Sequence, residues 1–211
     1  MSTRVLGTIA AALLTIGSAA MVVRAQSTAS VPAPDPVRYT AQGELMRPDD
    51  YREWIYLSSG LGMTYSPTPA AASAAPPASA APRTPSFTNV FVNPASYRHF
   101  VQTGTWPDKT MFVLEVRASA TEGSINVGGN YQTDLQAIEV EVKDARLPDG
   151  WAYFNFGRAA TPVKALPVSA PCYTCHGTNA AVEHTFVQFY PSLMDVATAK
   201  GTINRGWTPH P

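Results

Sequence analysis

The residues of this chain best suited to covalent and metal chemistry stand together at Cys172-Tyr173-Thr174-Cys175-His176. In the spacing C-x-x-C-H, two thiols can add across the two vinyl groups of a haem, and the adjoining imidazole then falls beneath the iron as its proximal ligand. Two other chemistries use parts of the same pattern. A redox dithiol needs only C-x-x-C and prefers a thioredoxin-like βαβ setting, which the sequence does not offer. A structural zinc site needs four ligands, yet the chain has only 2 cysteines. The expected cofactor is therefore one haem c per chain, covalently attached at Cys172 and Cys175, with His176 as the metal ligand.

The sixth iron position decides what such a haem does. Met or a second His there gives an electron carrier, whereas an open position admits a diatomic gas or a substrate. The donors to consider are Met63, Met111, Met194, His99 and His184. His184 follows His176 by about two helical turns on the same side, which keeps it off the other haem face. Met111 opens a strand, where core packing is its ordinary role. His99 falls on a surface helix and His210 in the terminal tail.

The elements that must position these groups come from the rest of the chain. Its 211 residues suit one domain with appendages. A formal net charge of +0 offers no basic surface, which excludes nucleic acid as a partner. Arg4, the apolar run Val5 to Val23 and the small-x-small site Val23-Arg24-Ala25 read as a secretory signal over residues 1–25. Thr8, Thr15, Gly17 and Ser18 make that run weak as a spanning helix. A periplasmic or otherwise exported protein, with no membrane attachment after cleavage, is expected. Residues 26–44 read as a flexible leader, 45–200 as the haem domain and 201–211 as a C-terminal tail. Within the domain, the Ala- and Pro-rich stretch 66–86 buries too little to offset its ordering entropy and reads as a disordered insertion.

Asp49 or Asp50 provides a capping carboxylate for a helix predicted over 51–57, ended by Gly60 and Gly62. After the insertion the hydrophobic period changes to two. Strands are predicted at 87–93, 110–118, 131–143 and 151–157, with a helix over 95–103 stopped by Gly104. In the third of these strands Glu139, Glu141 and Lys143 alternate with Ile138, Val140 and Val142, which reads as one apolar and one wet face. The predicted class is α+β, mainly β: an antiparallel sheet of four or five strands with a few helices packed at its ends.

Several segments together resemble the cytochrome P-460 and cytochrome c′-beta family. They are Tyr51-Arg52-Glu53-Trp54, Asn89-Val90-Phe91-Val92-Asn93-Pro94, Tyr97, Thr103-Gly104, Asp108-Lys109-Thr110, Gly150-Trp151-Ala152-Tyr153-Phe154, the haem box and Phe186-Val187-Gln188-Phe189-Tyr190-Pro191. The resemblance implies a small homodimer with haem held against an antiparallel sheet. Hydroxylamine-oxidising members carry a Lys that cross-links to the haem, in the strand after an Asp-Gly-Thr turn. Leu114 stands at that position here, and no Lys occurs from 110 to 142. Lys109 lies in the turn, on the opposite face of the extended strand and about 16 Å from Leu114.

The chain thus resembles the cytochrome c′-beta members, whose five-coordinate haem sits under an aromatic distal cap and binds nitric oxide and carbon monoxide. Phe87, Phe91, Phe112, Leu114 and Phe154 are the candidates for that distal pocket. The expected function is binding of such a gas for scavenging, storage or sensing. The alternatives are an oxidoreductase acting on hydroxylamine or nitric oxide, and a low-spin electron-transfer cytochrome with Met111 as sixth ligand. The expected partners are the diatomic gas, a second copy of the chain and a redox partner protein.

Overall fold

The computed structural model describes residues 37–65, 84–147 and 149–208. The signal expected over 1–25, most of the 66–86 insertion and the end of the tail lie outside the described residues. Five strands, β1 (Ile55–Leu61), β2 (Phe87–Val92), β3 (Met111–Ala120), β4 (Tyr131–Lys143) and β5 (Trp151–Gly157), form one antiparallel sheet. Their spatial order follows their order in the chain, so each strand pairs with the next. Among the described residues three helices complete the fold: α1 (Pro94–Thr103), α2 (Pro171–Asn179) and α3 (Pro191–Lys200). Each starts with proline at its first turn, where the missing N–H costs nothing. Gly104 (φ 77°) and Gly201 (φ 68°) close α1 and α3 in the left-handed conformation that an L side chain resists. No described helix is long and apolar enough to cross a membrane.

The mainly antiparallel α+β class is the one expected, with one redrawn element. The helix predicted over 51–57 is only a 3-10 turn at Tyr51–Glu53, after which the chain enters β1. Asp50 makes no side-chain capping bond. The run Ile55-Tyr56-Leu57 is instead suited to pairing with β2, where Ile55 lies opposite Val92 and Tyr56 opposite Phe91. Residues 62–86 are therefore the connection between two neighbouring strands.

The period of two sorts side chains onto the two faces of this sheet. One face carries Met111 and Val113 of β3, Val140 and Val142 of β4 and Phe154 of β5, covered by Leu45, Tyr51 and Trp54. Val37 and Tyr39, which fall in the expected leader, pack against this layer too. The other face carries Val92, Phe112 and Trp151 and packs on Phe100 of α1 and on Leu193 and Ala197 of α3. The site lies on this second, helix-covered face.

Glu115 is the buried charge of the first face, with a side chain 1% exposed. It accepts hydrogen bonds from Asn89 Nδ2 at 3.0 Å and Arg117 Nε at 2.7 Å, and from Tyr51 and Arg52. Burial pushes its carboxyl up, but the bonds from Arg117, Tyr51 and Asn89 outweigh this and hold it below the usual carboxylate range. Substituting Glu115→Ala leaves these donors unpaired, and urea denaturation at neutral pH should show a loss of about 3 kcal/mol. Because the folded-state value lies below the unfolded one, the stabilisation is complete above the unfolded carboxylate pKa and disappears as pH falls through the folded one. The gap between wild type and variant should narrow in acid; a gap independent of pH would contradict the assignment.

Candidate functional site

Helix α2 lies over the β4–β5 end of the second face and fully buries none of its side chains. Cys172, Cys175 and His176 instead line a cavity of about 350 Å³ between helix and sheet. That volume is in the range of ligand sites. Register builds the floor of the cavity in two cross-strand rows. Ser58, Val90, Leu114, Glu139 and Asn155 form one, and Phe112, Glu141 and Tyr153 the other. The floor is thus apolar under β2 and β3 and polar under β4 and β5. Leu166, Phe186, Phe189 and Tyr190 close it from above, while Gly60, Met63 and Tyr65 bound it at the β1 end.

His176 is held on three sides. Its ring centroid lies 4.5 Å from that of Tyr153 and 4.4 Å from that of Phe186. Its Nδ1 donates to the backbone carbonyl of His184 at 2.7 Å, with Glu141 Oε1 at 3.3 Å. A carbonyl can only accept, so the proton sits on Nδ1 and Nε2 carries the free lone pair that an iron ligand needs. Burial pulls the imidazole pKa down, but the Glu141 carboxylate and the His184 carbonyl reverse the effect and leave it raised.

His184 does not continue the helix of His176. Helix α2 stops at Asn179, and the chain doubles back through a tight loop in which Glu183 adopts φ 50°. The His184 ring stacks on Trp151 at 5.8 Å, and its carbonyl alone reaches the site. Asn204 clamps this loop: its Nδ2 donates to the carbonyls of Ala180 (2.9 Å) and Glu183 (2.8 Å), and its Oδ1 accepts from Glu183 N (2.9 Å). Gln188 ties Ala181 to Asn179, and Glu183 accepts from Lys143 Nζ at 2.5 Å. Asn204 lies in the expected tail, where no motif announces this duty.

The other sequence candidates divide by strand parity. Phe112 and Leu114 border the cavity. Phe154 borders it as well, but its ring packs in the opposite layer, 6.4 Å from that of Tyr39. Phe87 and Phe91 do not border it, because odd positions of β2 point to the first face, where Phe91 meets Tyr51 at 5.4 Å and Tyr56 at 5.7 Å. Met111 is buried in that same layer, and His99 is exposed on α1. Of the candidate sixth ligands, Met63 alone lines the cavity. Lys109 is paired with Asp144 in its turn.

Glu139 and Glu141, read from sequence as a wet face, point into the cavity under α2. Burial holds the Glu139 carboxyl above the usual range, against the pull of His176. It also helps burial to raise the Cys172 thiol. The signal that could have found Glu139 is register, since it lies directly opposite Leu114.

The donor set fits a haem rather than a bare ion. Among the described residues no cluster of three or more His, Cys, Asp or Glu converges to hold a metal ion. Two free thiols and one oriented imidazole instead share the wall of a cavity with an apolar floor. Buried Glu141 Oε1 has only His176 Nδ1 near it, at 3.3 Å, and the buried Tyr153 OH belongs to the same polar end of the cavity. A family model described as Cytochrome P460 matches residues 48–187. No curated protein gives a significant match.

The loop that carries the His184 carbonyl should depend on its clamp. Substituting Asn204→Ala leaves three part-buried backbone groups without this partner and should cost about 2 kcal/mol in urea denaturation. A change within about 0.5 kcal/mol would show that the loop is held without it.

Proposed function

Since the chain belongs to the cytochrome P460 family of haem cytochromes, we propose that it is a mono-haem c-type cytochrome with an iron site open to nitric oxide or carbon monoxide. In this reading Cys172 and Cys175 form the thioether links and His176 is the proximal ligand. Haem held in this way supplies an iron with one position left for a neutral diatomic ligand. The observation that carries the reading is the orientation of His176: Nδ1 is committed to the His184 carbonyl, inside a cavity whose described lining contains no second histidine.

The side chains around the cavity suit that ligand class. Val90, Phe112 and Leu114 exclude water and offer no hydrogen bond to a competing polar molecule. Leu114 also supplies no amine for a cross-link. The His184 carbonyl and Glu141 hold the imidazole by its proton and make it a better donor. Export through the 1–25 signal, a periplasmic place, a homodimer and a redox partner protein belong to the same proposal. Its physiological use would be scavenging, storage or sensing of the gas.

Glu139 favours a second reading, an oxidoreductase acting on hydroxylamine or nitric oxide. A carboxyl raised by burial beside the ligand space can take up and release a proton. The electron-carrier alternative loses Met111, which is buried on the opposite face of the sheet, and would have to use Met63 of the cavity lining instead.

Optical spectra of the haem-loaded protein test the first reading. A high-spin ferrous haem whose spectrum shifts on adding carbon monoxide or nitric oxide is expected; a low-spin spectrum indifferent to both would sink it. Denaturing mass spectrometry should find the haem retained by the wild type and lost in the Cys172→Ala, Cys175→Ala double variant. If the wild type oxidises hydroxylamine and Glu139→Gln slows this by about a hundredfold while gas binding persists, the enzymatic reading prevails.

A further inference from the structure

Among the residues that bound the β1 end of the cavity, one has a seat that is visible in the backbone. Gly60 lies on the cavity face of β1, opposite Thr88. A Cβ built on Gly60 would meet Met63 Sδ at 2.1 Å and Met63 Cγ at 2.6 Å. The thioether therefore rests in the space that any side chain at position 60 would occupy. Gly60 is not among the glycines with positive φ, so space rather than backbone freedom is what requires glycine there.

Met63 and His176 approach the cavity from opposite ends. His176 lies over β4 and β5, where Glu141 and Tyr153 contact it. Met63 lies over β1, three strand spacings from β4, or about 14 Å. Tyr65 OH stands 4.0 Å from Met63 Sδ and lines the same end. Cys172, Cys175 and His176 would hold a planar group from the α2 end, and Val90, Leu114 and Met63 belong to the rest of the lining. A thioether there is apolar, unbranched and free of strong hydrogen-bond donors, so it fills volume without attracting water.

We propose that Met63, seated on Gly60, is the specificity-determining residue of the gas site, capping the side of the cavity opposite His176 so that only ligands of diatomic size fit. This inference rests on the gas-binding reading and adds to it the residue that limits ligand size. The cap belongs to the β1–β2 connection, whereas the haem attachments belong to α2.

The test uses haem-loaded wild type, Met63→Ala, Met63→Leu and Gly60→Ala. Carbon monoxide association is followed with the ferrous proteins and imidazole binding with the ferric ones. Met63→Ala should raise the carbon monoxide association rate on the order of tenfold and should bind imidazole, which the wild type excludes. Met63→Leu, of similar volume, should behave as wild type. Gly60→Ala should reproduce Met63→Ala, because the new methyl displaces the thioether, while the Thr88 hydroxyl, which it would meet at 2.8 Å, rotates away. Carbon monoxide binding that is identical in wild type and Met63→Ala, with imidazole equally excluded, would overturn the cap and leave the open-site reading standing. Carbon monoxide binding by Met63→Ala but not by wild type would put Met63 on the iron as its sixth ligand, which overturns the open site and with it the cap. If neither binds carbon monoxide, both the open site and the cap are overturned.

Discussion

The carbonyl of His184 accepts the Nδ1 proton of His176, and the chemistry of the site depends on that one bond. It fixes the tautomer and aims the ring. Helix α2 could not do this by itself, since it buries none of its side chains fully and ends three residues after the histidine. The orientation comes from a loop that follows the helix and folds back on it. Asn204 and Gln188 bind that loop to neighbouring backbone, and Lys143 reaches it from the end of β4. Motif and proposed iron ligand are thus local in sequence, while the restraint on His176 is gathered from the sheet and the C-terminal segment.

The sheet supplies the second constraint. Because side chains alternate across the strands, one register assigns Val90, Phe112 and Leu114 to the cavity together with Glu139 and Glu141. The cavity is consequently two-sided. An apolar half suits a neutral gas, and a carboxyl-bearing half suits proton movement. Leu114 and Glu139 face each other across adjacent strands and represent these two tendencies in one pair. The absence of an amine at position 114 tilts the balance toward binding, and the raised carboxyl of Glu139 keeps the oxidoreductase reading physically reasonable.

Much of this was legible in the sequence. C-x-x-C-H marked residues that the structure gathers on one cavity wall, and strands β2 to β5 show a clear period of two. Where sequence reasoning erred, the deciding force was non-local. Asp49 and Asp50 looked like caps, but pairing with β2 took residues 55–61 into a strand. Glu139 and Glu141 looked solvated, because alternation shows that a strand has two faces without showing what covers the second. Phe87 and Phe91 were eligible for the pocket until the register put their parity on the other side. Gly60 looked like a helix stop and is instead the seat of Met63.

The most direct measurement is resonance Raman spectroscopy of the ferrous haem-loaded protein. A haem whose only axial protein ligand is a neutral, carbonyl-anchored His176 should give the iron–histidine stretching band of a five-coordinate high-spin iron. That band should vanish in His176→Ala and when carbon monoxide is added. A six-coordinate low-spin spectrum lacking the band would contradict the account, since it would require a second protein ligand in the space assigned here to the gas.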